Sequence, residues 1–282
     1  MTAGARPFGM SVHDVHLTEE YFAACRAAGL YSVEVSCSPE KYETLDWAAL
    51  AALAKRHGLV LNSVHLPFSG RISIAHTDPV LRAQAMERDR DVLRGAASAG
   101  IRIAVIHPSS EPISDEERET VLGYAQSNLH ALAELAAELE MTAAVENLPR
   151  TCLGRNSAEM MRLLAADDRL RVCFDTNHLL SEPIADFVRA LGAKIVTLHV
   201  SDYDFVDERH GMPGEGDVDW REFMALLDEI GYRGVFNYEL ALGAETRMTL
   251  REREVTPADC RANYDSLLRC GKPVTVGGTR KR

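Results

Sequence analysis

The chain has 282 residues, a formal net charge of −11 and a hydrophobic fraction of 46%. That length suits one large α/β domain or two small ones, and the acidic balance disfavours a generic nucleic-acid binder, because Lys and Arg dominate phosphate binding. No run of about 18 apolar residues occurs, so no membrane span is expected, and MTAGARPFGMSV at the start lacks the apolar core of a secretory signal.

Short β-rich runs alternate with helical segments from end to end. The strands are expected at 7–12 (PFGMSV), 31–37 (YSVEVSC), 59–66 (LVLNSVHL), 101–107 (IRIAVIH), 141–147 (MTAAVEN), 170–176 (LRVCFDT), 195–202 (IVTLHVSD) and 234–240 (GVFNYEL). Between them, Ala/Leu/Glu/Arg-rich segments predict helices over 18–28, 46–57, 78–99, 115–139, 157–166, 183–191, 219–230 and 257–269. Ser114, Ser157 and Asp219 read as start signals, and Gly29, Gly58, Gly100, Gly192 and Gly231 as stops.

Eight strands alternating with eight helices is the count of a single (β/α)8 TIM barrel, an α/β fold. A doubly wound open sheet would usually carry a glycine-rich loop after its first strand, where this chain has HDVH. The barrel is expected to occupy residues 1–270, and 271–282 reads as a frayed basic tail. Six scattered cysteines (Cys25, Cys37, Cys152, Cys173, Cys260, Cys270) with no CxxC read as reduced thiols of a cytoplasmic protein.

The C-terminal ends of barrel strands form the active-site face. Here the third to eighth strands end in His65, His107, Glu146, Asp175 with His178, His199 with Asp202, and Glu239. Strand alternation then points Ser63, Val105, Ala144, Cys173, Thr197 and Asn237 into the barrel as a packed layer beneath. One such His is ordinarily a hydrogen-bonded structural residue, and one such Asp a helix cap. Six together are different, because converging carboxylates are costly to desolvate without protons or a cation. Mixed carboxylate and imidazole donors suit Mn2+, Co2+, Zn2+ or Mg2+. The loop DERHGMPGEGDVDW (207–220) adds Arg209 and His210 as a candidate clamp for substrate hydroxyl or phosphate oxygens.

The set VENLPR, CFDTNH, LHVSD, RHGMPGEGDVDW and NYEL resembles the xylose isomerase-like TIM-barrel superfamily, from the second strand to the eighth. That superfamily holds sugar (phosphate) isomerases and epimerases, inosose and hydroxypyruvate isomerase relatives, and endonuclease IV. The resemblance implies one divalent metal held by Glu146, Asp175, His199 and Glu239. It also implies that Glu146 and Glu239 form the proton-transfer pair and that His178 contacts substrate, with His65 and His107 as further substrate contacts. The run NLPRT departs from the Asn-Arg-aromatic-Glu pattern usual in ketose 3-epimerases.

Endonuclease IV is the alternative that the resemblance leaves open. Its three-zinc pattern is matched by His65, His107, Glu146, Asp175, His178, His199, His210 and Glu239, with Glu208 or Asp207 near the ninth position. The net charge and the nearly base-free loops HDVHLTEE and SCSPEKYETLDW argue against DNA. The expected partner is a small-molecule carbohydrate, with no membrane, and the pairing common among such barrels leaves a homodimer open. Glu34 reads equally as a residue of the barrel mouth or as a structural ion pair. His13 and His16 could touch substrate but read better as surface histidines, Trp47 and Trp220 read as packing at helix starts, and Arg150 and Arg155 could meet a phosphate, although loop arginines are common.

Overall fold

A computed structural model describes residues 5–271 and 273–281. The strands are β1 (Phe8–His13), β2 (Ser32–Ser36), β3 (Val60–His65), β4 (Ile103–Ile106), β5 (Thr142–Glu146), β6 (Arg171–Asp175), β7 (Ile195–His199) and β8 (Phe236–Tyr238). They pair in parallel in the order β7-β6-β5-β4-β3-β2-β1-β8. A parallel bridge between Val200 and Tyr238 joins the two ends of that sheet, with the Val200 N–H donating to Asn237 O at 2.8 Å. The fold is a single (β/α)8 TIM barrel.

The helices are α1 (Glu19–Ala27), α2 (Pro39–Tyr42), α3 (Trp47–His57), α4 (Pro79–Ser98), α5 (Arg118–Glu138), α6 (Ser157–Leu164), α7 (Ile184–Leu191), α8 (Trp220–Glu229) and α9 (Pro257–Cys270). Their boundaries follow from capping chemistry. Asp78 accepts from the N–H groups of Val80 and Leu81 ahead of a proline at the first helical position. Thr256 and Asp259 form a capping box, and α3 stops at Gly58 in the left-handed conformation, φ 62°. Two expected starts shift: Asn156, not Ser157, caps α6, and Glu117 precedes α5. The one-turn α2 carries no periodicity of its own and escapes a sequence reading.

Two cores result. The larger lies between the sheet and the helices and includes Phe22, Leu93, Leu129, Phe174, Phe187, Phe223 and Phe236. A small separate cluster of Val105, Ala144 and Cys173 sits apart from it, as residues pointing into the barrel should. All six residues of the expected inner layer are buried, including polar Ser63, Thr197 and Asn237. The barrel interior is therefore polar in part, which prepares it to support charged side chains above.

The basic C-terminal segment, expected to fray, instead forms a strand. β9 (Thr249–Arg251) pairs antiparallel with β10 (Gly278–Arg280). Its bases find acids: Arg280 pairs with Asp217 at 2.6 Å and Lys281 with Glu245 at 2.7 Å. Lys272 and Arg282 lie outside the described residues. No helix among the described residues is long and apolar enough to cross a membrane.

Candidate metal and substrate site

Strand register brings the candidate ligands together. Asp175 and His199 are direct partners across β6 and β7, and Glu146 stands opposite Cys173 one strand over. Glu239 follows β8 directly, its N–H donating to Val200 O. One donor atom each from Glu146, Asp175, His199 and Glu239 lies within 4.8 Å of the other three. Glu146, Asp175 and His199 are essentially fully buried, and the Glu239 side chain is 14% exposed.

Each member is held by its neighbours. His199 Nδ1 lies 2.9 Å from Glu146 Oε1 and 3.4 Å from Glu239 Oε2. His199 Nε2 faces the other way, 2.8 Å from Glu34 Oε1, whose second oxygen accepts from Ser63 Oγ at 2.6 Å. Glu34 thus lies fully buried beneath the site and orients the imidazole. Sequence reasoning left its role undecided because the partner lies 165 residues away.

Asn147 splints the next pair of strands. Its amide exchanges two hydrogen bonds with the Asp175 backbone, at 2.8 and 2.9 Å, and its carbonyl lies 2.8 Å from His178 Nδ1. Asn177 carries out a similar task for the loop after β7, its side-chain oxygen accepting from the N–H groups of Arg209 and His210. That loop also needs Gly216, where a Cβ would collide with Tyr203 O and Asp202 Oδ1.

The electrostatics suit a candidate cation site. Burial raises the Glu146 pKa, but His199 and His107 outweigh it and hold the carboxyl well below its usual range. Burial likewise works against Glu239, which His199 and His210 keep below its ordinary value. For Asp175 burial wins over the help of His178, and its pKa is pushed up to about 7. Asp175 Oδ2 has no hydrogen-bond partner, although it is buried. An unpartnered buried carboxylate oxygen costs free energy that a cation would offset. With the nitrogen and three carboxylates around it, the quartet fits a divalent metal.

Above the quartet opens a cavity of about 470 Å3, lined by His65, His107, Glu146, His178, His210 and Glu239 among others. Asp175 and His199 lie beneath its wall rather than on it. His65 Nε2 and His107 Nε2 each lie 3.1 Å from Glu146 Oε2. His178 is opposed by burial but raised to about 10 by Asp175 and Glu208, and its Nε2 has no hydrogen-bond partner. His210 Nε2 lies 2.9 Å from Glu208 Oε1.

Arg209 does not take the position expected of a clamp. Its Nε donates to Asp204 Oδ2 at 2.9 Å, and it does not line the cavity. Arg150 lines it instead, bonded to Glu111, Asp207 and Glu208. His13 also lines the cavity, whereas His16 packs on Tyr21. Trp220 packs against Phe223 at the start of α8.

Residues 22–255 match the profile of the xylose isomerase-like TIM barrel family. The chain belongs to that family. Its relatives include the uncharacterized protein MJ1311 of Methanocaldococcus jannaschii, 30% identical over 62% of this chain and 63% of that one. Another is fructoselysine 3-epimerase of Escherichia coli O157:H7, 29% identical over 43% of this chain and 46% of the relative. The matched stretches thus span less than two thirds of these relatives. Among solved structures, a D-psicose 3-epimerase superposes with a TM-score of 0.74 at 16% identity, covering 93% of this chain and 99% of that one. A D-tagatose 3-epimerase-like protein gives a TM-score of 0.69 at 24% identity, covering 82% and 89%. At those identities the likeness speaks for the fold.

Proposed function

We propose that the protein is a divalent-metal-dependent isomerase or epimerase of a small sugar, sugar acid, sugar phosphate or cyclitol, working by proton transfer through an enediolate. The observation that carries this reading is the pair Glu146 and Glu239, both lining the cavity and both sharing the buried quartet with the unpartnered Asp175 oxygen. Sugar 3-epimerases among the relatives and fold neighbours support the same class.

Glu146, Asp175, His199 and Glu239 would hold the metal, which when bound polarises a carbonyl and offsets charge developing on the adjacent oxygens. Glu239 and Glu146 then act on the substrate carbon beside the carbonyl. One carboxylate takes the proton, and the other returns one. Return on the opposite face gives an epimer; return to the neighbouring carbon interconverts aldose and ketose. His178, whose Nε2 has no hydrogen-bond partner, donates to a substrate hydroxyl, and His65, His107 and His210 complete the polar rim. The Asp and His ligands, buried beneath the wall, keep their geometry whether or not substrate is present.

Glu239→Gln keeps the shape and removes the base. Turnover is expected to fall about a thousandfold with an unchanged circular dichroism spectrum. Full activity of that variant in a proton-exchange assay would reject the role.

A second reading rests on two further donor groups, His65–Glu146–His199 and His178–Glu208–His210. They would allow three zinc ions and an endonuclease IV-like phosphodiesterase. Against it, the cavity offers a single guanidinium, Arg150, already bonded to three carboxylates. Elemental analysis of protein purified without a histidine tag separates the two, one metal per chain favouring sugar chemistry. Nicking of an abasic-site duplex would favour the phosphodiesterase.

A further inference from the structure

We infer that the site selects sugars bearing no negative charge at the end remote from the reacting carbons, and that Glu111, Asp207 and Glu208 impose this by saturating Arg150. The inference rests on the sugar reading above and narrows its substrate class, setting aside sugar phosphates and sugar acids. Arg150 Nε lies 2.8 and 3.0 Å from the two oxygens of Glu111, Nη1 lies 2.7 Å from Asp207 Oδ1, and Nη2 lies 3.0 Å from Glu208 Oε2. The four side chains come from three separate loops, those after β4, β5 and β7, and close one side of the mouth.

Three carboxylates thus face one guanidinium, so Arg150 has no unshared positive charge to offer an anionic ligand. Arg150 is the sole Lys or Arg among the lining residues. Arg209, the other candidate, is bound to Asp204. His178 and His210 already face carboxylates: His178 lies near Asp175 and Glu208, and His210 near Glu208 and Glu239. The rest of the lining mixes apolar Leu148, Leu240, Ala241 and a half-exposed Phe68, its ring centre 3.9 Å from that of His107, with His13 and the neutral hydroxyls of Ser36, Ser69 and Ser110. A distal phosphate or carboxylate would lose water without gaining an unpaired Lys or Arg, and would stand beside the carboxylates of Glu111 and Glu208. A hydroxylated or apolar tail meets no such penalty. The selection works by repelling the wrong ligand as much as by attracting the right one.

The test compares D-fructose with D-fructose 6-phosphate on the Mn2+-loaded full chain, by NMR titration for binding and by C3 proton exchange in D2O for turnover. The free sugar should bind at least about tenfold more tightly. In the doubly substituted Glu111→Gln, Asp207→Asn protein, Arg150 keeps Glu208 as its one carboxylate partner, and the phosphate ester should gain about tenfold relative to the free sugar. Equal or tighter binding of the phosphate ester by the unaltered protein would overturn the inference, as would no gain in the variant. Binding in the expected order without proton exchange would leave the inference standing and remove the epimerase reading. Failure of both sugars to bind would remove both.

Discussion

Two buried aspartates, Asp175 at the end of β6 and Asp202 just beyond β7, have opposite hydrogen-bond accounts. Asp202 Oδ1 accepts from the N–H groups of Tyr203 and Val218, and its Oδ2 from Gly214 N–H and the Trp220 indole at 2.9 Å. Asp175 Oδ1 accepts from Asn177 N–H at 2.6 Å, and its Oδ2 has no hydrogen-bond partner, with His178 Nδ1 3.4 Å away. Both side chains are fully withdrawn from water. The difference separates a carboxylate that the fold has completed from one with capacity left for a ligand. The first is a staple for the loop 203–220. The second is free to take up the metal of the proposed site.

The comparison can be broken by experiment. Asp202→Ala strands several buried donors at once and should cost about 3 kcal/mol or more of folding stability, read by urea denaturation. Little loss would mean that Asp202 is not the staple. Glu34→Gln leaves Asp175 untouched but weakens the grip on His199. A 10–100-fold loss of Mn2+ affinity by calorimetry, with a normal melting temperature, is expected of such a supporting residue. Unchanged affinity would reduce Glu34 to packing.

The smallest effect concerns acidity in the metal-free protein. The Asp175 pKa is raised to about 7 by burial. A carboxyl whose folded value exceeds its unfolded one adds stability that is complete below the unfolded value, about 4, and fades as pH rises through the folded value. Metal-free protein should therefore lose stability between about pH 4 and 7, and Asp175→Asn should flatten that slope. Identical slopes for the two proteins would show that Asp175 is not what titrates.

Much of this could be read from residues alone, for definite reasons. Strand alternation and glycine stops depend on neighbours in the chain, so the eight strands and most helix limits fall where expected. The convergence of Glu146, Asp175, His199 and Glu239 was legible because a barrel puts every strand end on one face. The arginines were not legible. Arg209 and Arg150 both sit in charged loops, and nothing local tells which carboxylate each will meet. Glu34 was undecidable for the same reason, and the basic tail misled because its acidic partners, Asp217 and Glu245, lie far off in sequence.

Asn147 has one more consequence. Past the last rung of β5 and β6, its side-chain amide supplies what another strand residue would have supplied, fastening to both the N–H and the carbonyl of Asp175. The carboxylates at 146 and 175 are thus locked by a bolt, not by the continuation of the strands. Loops beyond the bolt can lengthen, shorten or change composition while the two carboxylates keep their places. That is a mechanical route by which one cup can be refitted for different ligands.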